Sequence, residues 1–202
     1  MPDPRLRPMT PADIEAASAA ILADDWGDRH AWFTFAVGHE ACDVVVADVD
    51  GEIVGSGVTT RNGSVAWIGT IWVAPGWRGR GLGRKLTEAT IAAAESAGAR
   101  TLVLVATEAG RPLYERLGFR VTTTYQTMEA PGRLGQEVSA PGSASPGSAD
   151  GGSTAGPGAG REARVVRAFR PADLAAMIRL DAAATGEDRG LLLAAFATSA
   201  ST

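Results

Sequence analysis

The sequence has very few of the residues that crosslink chains or bind metals. A single cysteine, Cys42, excludes an internal disulfide and is typical of a protein from a reducing, cytoplasmic compartment. Since there are also only two histidines, a Cys/His zinc site is not expected, and we predict no bound metal. No apolar run approaches the roughly 18 residues that a membrane span needs, and the charged start, with Asp3 and Arg5, does not resemble a signal peptide. We therefore expect a cytoplasmic protein that does not contact a membrane.

Lysine is almost missing as well, and the charge balance is acidic. Lys85 is the one lysine of the chain, and the formal net charge is −4. This balance argues against a general nucleic-acid-binding protein. With 45% hydrophobic and 21% charged residues, the 202-residue chain has the composition of a globular protein with room for one ordinary domain and an extension.

The composition changes sharply once along the chain. Between residues 139 and 160, 20 of 22 residues are Ala, Gly, Pro or Ser, which lack side chains large enough to offset the entropy of ordering them. We predict a flexible linker over residues 130–160. It separates a first domain, residues 1–129, from a tail of residues 161–202 that is too short for us to expect it to be stable alone.

The tail resembles the start of the chain at an offset of 160 residues. Pro11-Ala12-Asp13 aligns with Pro171-Ala172-Asp173, and Asp28-Arg29 aligns with Asp188-Arg189. Chance similarity in a chain rich in Ala and Arg is the alternative explanation. We predict a partial second copy of the opening strand–helix–helix unit, whose apolar residues, such as Leu191, need a partner. A homo-oligomer is one way to cover them.

Hydrophobic periodicity and turn residues predict a mixed sheet carrying helices, an α/β fold of order β-α-α-β-β-β-α-β-α-β. Asp50-Gly51 and Asn62-Gly63 are two-residue hairpin signals, so three central strands should form an antiparallel meander. Predicted strands cover residues 5–9, 43–49, 52–60, 64–73, 101–106 and 120–128, and predicted helices cover 11–23, 28–37, a segment from 82 to just before Gly98, and 112–117.

The stretch from Arg78 to Lys85 is the most informative for function. It joins a strand to an amphipathic helix and contains the glycines Gly79, Gly81 and Gly83. Glycines let backbone amides approach a ligand, and a helix N-terminus favours an anion. Four cations within these eight residues, the fourth being Lys85, predict a site for a pyrophosphate or similar polyanion.

Three phosphate-binding patterns are candidates for this turn. A Walker A loop is absent, and a dinucleotide fingerprint starts at Gly79 but has Arg84 at its third glycine position. The third pattern, [RQ]-x-x-G-x-[GA], is satisfied by Arg78, Gly81 and Gly83. It is the signature of the GCN5-related N-acetyltransferases (GNAT), which hold the pyrophosphate of acetyl-CoA.

A second motif strengthens this resemblance. Residues 110–119, Gly-Arg-Pro-Leu-Tyr-Glu-Arg-Leu-Gly-Phe, are similar to the family pattern A-x-x-L-Y-x-x-x-G-F. From residue 5 to about 128 the chain resembles the GNAT family, and the predicted order of strands and helices is the family's order.

The resemblance implies a set of site residues. Acetyl-CoA would be held by backbone groups of the third strand of the meander and by the glycine turn, and Thr107 stands where many relatives have an asparagine that contacts the cofactor. Tyr114 would act as the general acid that protonates the departing thiolate. The expected cofactor-binding residues are Ile71, Val73, Arg78, Gly79, Arg80, Gly81, Leu82, Gly83, Arg84 and Thr107.

The resemblance does not supply a general base. The strand over residues 64–73 has no acidic residue where some relatives keep a glutamate. Acids near the first two helices are the alternatives, namely Asp24, Asp25, Asp28 and Glu40. Asp25, Trp26 and Asp28 are the expected acceptor-binding residues, because carboxylates beside an aromatic ring suit a cationic amine.

The sequence thus predicts an acetyl-CoA-dependent N-acetyltransferase that acts on a primary amine by direct attack in a ternary complex. A non-catalytic acetyl-CoA-binding or sensing module is the main alternative, because the base is missing. A nicotinamide-dependent oxidoreductase is the third, since Glu108 follows a strand where a ribose-binding acid could lie.

Overall fold

A five-stranded mixed sheet organises the protein. The computed structural model describes residues 2–126 and 167–199. The strands lie in the order β1-β2-β3-β4-β5; neighbours from β1 to β4 are antiparallel, and β4 and β5 are parallel. The strands are β1 (Arg5–Pro8), β2 (Cys42–Val49), β3 (Glu52–Asn62), β4 (Val65–Val73) and β5 (Thr101–Leu104).

Helices cover both faces of this sheet. Short 3₁₀ helices stand at Pro11–Asp13, Pro75–Trp77 and Pro171–Asp173. The α-helices are α1 (Ile14–Ala23), α2 (His30–Gly38), α3 (Leu82–Ser96), α4 (Arg111–Arg116), α5 (Leu174–Thr185) and α6 (Gly190–Ser199).

Alternating residues of the central strands build two cores. In β2, Val44 and Val46 pack with buried residues of α1 and α2, whereas Ala47 packs with Leu82 and Leu86 of α3. Because successive strand residues point to opposite faces, α1 and α2 lie on one face and α3 lies on the other. The predicted α/β fold is confirmed.

The last predicted strand is not formed in the described part of the chain. Residues 120–126 have no regular secondary structure, and all are exposed. Val121, Thr122, Thr123 and Thr124 favour a strand by composition, but β-propensity stabilises a strand only where neighbouring strands and a core contact it. The prediction for residues 120–126 is therefore wrong, while Thr127, Met128 and the predicted linker over 130–160 lie outside the described residues.

The tail forms a 3₁₀ turn followed by α5 and α6. Its 3₁₀ turn begins 160 residues after the first one, and α6 begins 160 residues after α2. Residues 167–170 have no regular secondary structure. The division into a first domain, a linker and a partial copy stays a prediction.

Contacts divide the chain into two units. The first contains residues 2–120 together with 169–199, and the second, of which only 121–126 and 167–168 are described, has no regular secondary structure in those residues. Within the described ranges, no helix combines the length and the apolar character needed to cross a membrane.

Candidate functional site

The glycine turn, residues 79–84, carries the chain from β4 into α3. Gly79 and Gly81 have φ of 74° and 80°, the left-handed region in which a side chain is strained. A Cβ at either position would meet nothing within 4 Å, so the backbone conformation, not crowding, requires glycine there. The first backbone bond of α3 runs from Lys85 N to Gly81 O at 3.1 Å. The amides at the start of α3 therefore have no carbonyl acceptor within the helix and are available to an anion.

Each cation around the turn has a protein partner in the structure. Arg84 bonds to Glu88 at 2.7 Å and Lys85 lies 3.3 Å from Asp3. The Arg80 guanidinium lies 5.4 Å from the centre of the Trp77 ring. These contacts are at the surface, and exposed pairs contribute little free energy, so an anionic ligand can displace them.

Arg78 is bonded differently from the other three. Its Nε donates to Val73 O at 2.9 Å, and its Nη2 donates to the Asp24 carboxylate. The guanidinium thus braces the end of β4 against α1.

Strand β4 is irregular just before this end. Ser56 pairs with Trp72 but Val58 pairs with Gly69, so β4 carries an extra residue opposite Gly57. Thr70 within this bulge has φ of 49°, a strained value for a β-branched residue. The Ser56 hydroxyl donates to Thr70 O at 3.0 Å, and Ser56 is fully buried, which holds the bulge in place.

The outer edge of β4 opens beyond the bulge. Pairing with β5 ends at Ile68 and Leu104, whereas β4 continues to Val73. Among the described residues, positions 69–73 have no strand partner on that side, and Ile71 and Val73 lie there half-buried. An extended ligand can therefore add to this edge by backbone hydrogen bonds, as a further strand would.

Helix α4 brings the second motif to the glycine turn. A Cβ on Gly83 would lie 3.6 Å from Leu113 Cδ2, so α4 contacts the start of α3. The next residue, Tyr114, is half-buried, and its ring makes an edge contact with Phe119 at 6.1 Å between centroids. Burial raises the pKa of the Tyr114 phenol above its usual value, so the hydroxyl keeps its proton to higher pH.

The loop before α4 explains two further residues of the motif. A Cβ on Gly110 would lie 3.1 Å from Tyr114 Cε2, so glycine allows the ring to lie against the backbone. The Thr107 hydroxyl accepts a bond from Gly110 N at 3.2 Å and thereby holds the turn that precedes the helix.

The predicted acceptor residues follow the end of α1. Asp25 has φ of 59°, Trp26 is 37% exposed, and Asp28 Oδ1 accepts a bond from His30 N at 2.8 Å at the start of α2. Only their neighbour Asp24 reaches the residues around the glycine turn, through Trp72 and Arg78. Glu40 lies beyond the end of α2, between α2 and β2.

Sequence reasoning missed three parts of this site: the Thr70 bulge, the Ser56 hydroxyl that holds it, and the bond between Asp24 and Trp72. Glycines inside a strand are a signal for a bulge, and Gly57 and Gly69 provided it. A Cβ on Gly57 would lie 2.9 Å from Thr90 of α3 and 3.0 Å from Ile71 of β4, so the helix and the irregular strand together leave no room for one.

Known proteins share the sequence pattern and the fold of this chain. Residues 10–119, more than half of the chain, match a sequence model of the Acetyltransferase (GNAT) family. An acetyltransferase from Trypanosoma brucei is 23% identical, with a TM-score of 0.52 over 63% of this chain and 100% of that one.

Two other solved structures share the fold. An acetyltransferase predicted for Clostridium acetobutylicum, solved with acetyl-CoA, is 16% identical, with a TM-score of 0.54 over 62% of this chain and 96% of that one. The enzyme AAC(6')-Iy, solved with a bisubstrate analog, is 18% identical, with a TM-score of 0.54 over 64% of this chain and 99% of that one. The match to the family model and the shared fold together establish that this chain belongs to the GNAT acetyltransferase family.

Proposed function

We propose that the chain transfers the acetyl group of acetyl-CoA to a primary amine by direct attack in a ternary complex. One arrangement carries the proposal: the bulged, open edge of β4 leads directly into the glycine turn, and the helix of Tyr114 packs against that turn. The same three elements are needed to hold the arm, the pyrophosphate and the reacting thioester of one molecule.

The residues present fit acetyl-CoA by their chemistry. Amides at the start of α3 and the cations Arg80, Arg84 and Lys85 suit a pyrophosphate, and the helix dipole adds partial positive charge. Backbone groups of Ile71 and Val73 suit the amides of a pantetheine arm. When bound, acetyl-CoA supplies a thioester whose carbonyl carbon accepts the amine. Among residues 2–126 and 167–199, no cluster of three His, Cys, Asp or Glu side chains could hold a metal ion.

The chain's own groups then move the protons and position the reactants. A backbone N–H of β4 polarises the thioester carbonyl by donating a hydrogen bond to its oxygen. As the amine nitrogen bonds to the acetyl carbon and the carbon–sulfur bond breaks, Tyr114 Oη gives its proton to the sulfur. The amine attacks in its neutral form, so an ammonium acceptor first gives one proton to water, directly or through a carboxylate such as Asp28. The nitrogen loses a second proton to water as the amide forms, and the phenol is reprotonated from solvent. The products are an amide and the free thiol.

The non-catalytic alternative is favoured by one observation, the lack of an acidic side chain on β4. The family match supports acetyl transfer over a nicotinamide-dependent reaction. The acceptor site proposed from Asp25, Trp26 and Asp28 would take a cationic amine, because two acidic residues flank a partly exposed tryptophan in the sequence.

Calorimetric titration with acetyl-CoA tests the proposal, with NAD as a parallel ligand. Binding of acetyl-CoA should be micromolar and should weaken by at least about tenfold in Arg80→Glu, because one attractive charge beside the pyrophosphate becomes repulsive. Arg100→Glu makes the same charge change at an exposed residue just before β5, and it should leave affinity within about twofold. Failure of the wild-type chain to bind acetyl-CoA would reject the proposal.

A screen of amine acceptors with Tyr114→Phe separates the enzyme from the binding module. We expect the variant to bind acetyl-CoA normally and to lose about 10²- to 10⁴-fold in kcat, the usual contribution of a general acid. Since burial raises the phenol pKa, wild-type kcat should fall only above about pH 10, and Tyr114→Phe should lack this decrease. Tight binding without turnover of any amine would favour the sensing module.

A further inference from the structure

Asp24 lies at the end of α1, next to the predicted acceptor-binding residues. Its carboxylate, however, bonds to residues next to the glycine turn, where the cofactor is expected. Trp72 Nε1 donates a hydrogen bond to Asp24 Oδ2 at 2.8 Å, and Arg78 Nη2 donates to the same oxygen. Trp72 is the last but one residue of β4, and Arg78 comes directly before the glycine turn. One carboxylate therefore contacts both ends of the short segment that joins β4 to the turn.

Because these hydrogen bonds are largely buried, their loss would be costly. The side chain of Trp72 is 1% exposed and that of Asp24 is 16% exposed, so the indole N–H has little access to water as a substitute acceptor. A buried donor without an acceptor is costly, and hydrogen bonds to a charged carboxylate are about twice as strong as neutral ones. Arg78 Nε in addition holds Val73 O at 2.9 Å, which ties the end of β4 into the same group of contacts.

The backbone around Asp24 supports an anchoring role. Asp24 N bonds to Ile21 O at 3.2 Å and Trp26 N bonds to Ile21 O at 3.3 Å, which ends α1 in a tight turn. The residue between them, Asp25, has φ of 59°. A carboxylate fixed to Trp72 and Arg78 holds this turn against β4, so the loop that precedes α2 and the glycine turn share one support.

The tail provides an independent comparison. At the offset of 160 residues it repeats Asp13 and Asp28 as Asp173 and Asp188, but Ala184 stands in the position of Asp24. The carboxylate is thus present in the copy of the unit that adjoins the glycine turn and absent from the other, although the residues that start the helices are kept in both. Helix formation does not require an aspartate at this position.

We propose that Asp24 is a positioning residue that couples the loop between α1 and α2, which carries the predicted acceptor-binding residues, to the glycine turn. By holding Trp72 and Arg78, it keeps the end of β4 and the turn in the conformation that binds acetyl-CoA. This inference rests on the proposed function. It also removes Asp24 from the candidate general bases, because its role is to accept the two hydrogen bonds that hold the site together.

Two variants and one control test the role of Asp24. Asp24→Asn keeps the size of the side chain and removes its charge, and Trp72→Phe removes the indole N–H. Asp43→Asn is the matched control, since its carboxylate pairs with Arg61 at 2.7 Å and lies at the start of β2, away from the turn. Titration with acetyl-CoA should show binding weakened by about tenfold in the first two variants, the equivalent of one charge-assisted hydrogen bond. The control should stay within about twofold.

Hydrogen exchange gives a second measurement that needs no ligand. Amides of residues 79–84 should exchange faster in Asp24→Asn and Trp72→Phe than in wild type, and they should be unchanged in Asp43→Asn. If circular dichroism shows that Asp24→Asn is unfolded, Trp72→Phe carries the test alone.

Distinct results would overturn the inference. Unchanged acetyl-CoA affinity and unchanged exchange in both variants would show that the carboxylate does not hold the turn. Normal affinity with lost turnover in Asp24→Asn would identify a proton-transfer role instead. Absence of acetyl-CoA binding by the wild-type chain would reject the proposed function, and the exchange rates would still decide whether Asp24 supports the turn.

Discussion

The opening unit, residues 5–38, and the tail, residues 169–199, start their helices in the same way and end with different surroundings. In both, a Pro-Ala-Asp turn leads into the first helix, and the aspartate accepts a bond from the backbone three residues earlier. Thr10 N donates to Asp13 at 2.7 Å, and Arg170 N donates to Asp173 at 2.9 Å. Such capping involves neighbours in sequence, so it repeats wherever the residues repeat.

Burial differs between the opening unit and the tail. Ala17 and Ile21 of α1 are 0% exposed and Ala36 of α2 is 1% exposed, whereas Met177 is 39% and Phe196 is 50% exposed. The position of Ile21 is taken in the tail by Asp181, which pairs with Arg189. The comparison shows that the local pattern decides whether helices form, and that the sheet beneath them decides which side chains become core.

Truncation of equivalent apolar side chains should give the largest difference in stability loss between the two units. Phe33 is fully buried, and Phe33→Ala should lower the free energy of unfolding by about 3–5 kcal/mol. Leu193, its equivalent, is half-buried, and Leu193→Ala should cost less than about 2 kcal/mol. Urea denaturation of both variants measures the difference, and equal losses would show that the tail contributes to the same core.

The second largest difference should be in how much the ion pairs of the two units contribute to the free energy of unfolding. In the opening unit Arg7 bonds to Asp13 and also to Asp48, which holds the pKa of Asp13 well below its usual range. A depressed carboxyl pKa stabilises the folded state above about pH 4 and loses this effect as pH falls further. Asp13→Asn should therefore cost about 2 kcal/mol at pH 7 and much less at pH 2.

The tail offers the control for this prediction. Asp181→Asn removes a pair with Arg189 that lies within the tail itself. Unfolding followed at pH 7 and at pH 2 should show a smaller loss for Asp181→Asn than for Asp13→Asn. A larger loss for the tail variant would contradict the view that the opening unit carries the stability.

The anchor of the tail on the sheet gives the third prediction. Glu187 accepts bonds from Asn62 Nδ2 at 2.7 Å and from Trp67 Nε1 at 3.0 Å, and Phe196 stacks on Phe35 at 4.8 Å. Glu187→Ala removes both of these bonds, so it should raise hydrogen exchange in residues 174–199 by at least about tenfold, while the midpoint of unfolding stays within error.

Exposed Glu95 of α3 serves as the control for this anchor, and Glu95→Ala should leave exchange in the tail unchanged. A drop in the global midpoint for Glu187→Ala would mean that the tail is part of the main cooperative unit.

The smallest expected effect concerns the helix ends. The left-handed residue after α1 is Asp25, with φ of 59°, but after α5 it is Gly186, with φ of 72°. Asp25→Gly should stabilise the protein by about 0.5 kcal/mol, and Gly186→Ala should destabilise it by about 1 kcal/mol. Thermal unfolding measures the first change and helical exchange rates the second. The same sign for both would contradict the assignment of strain to Asp25.

Much of the fold could be predicted from local signals. The turn at Asp50-Gly51 joins β2 to β3 as expected, and Gly98, with φ of 88°, lies just beyond the end of α3. Periodicity and glycine are readable in sequence because they reflect the pitch of a helix and the conformations open to one residue. The prediction of a strand over residues 120–126 was wrong because strand formation depends on partners that are distant in sequence.

The motifs of the candidate site could be predicted from the sequence. The hydrogen bonds that hold these motifs in place could not. The glycine turn and Tyr114 were recognised as spaced patterns. The bond from Trp72 to Asp24 joins residues 48 positions apart, and no sequence pattern in either segment predicts it. Ser56 holds the bulge at Thr70 across two strands in the same way.

By itself, the sequence determined the order of the helices and of the first five strands, which residues form the glycine turn, and the family to which the chain belongs, because each depends on residues close together in the chain. Tertiary structure alone decided that Asp24 accepts bonds from Trp72 and Arg78, that β4 bulges at Thr70, and that one of two similar helical units became core. These outcomes depend on packing and buried hydrogen bonds, whose free energies are realised only when distant segments meet.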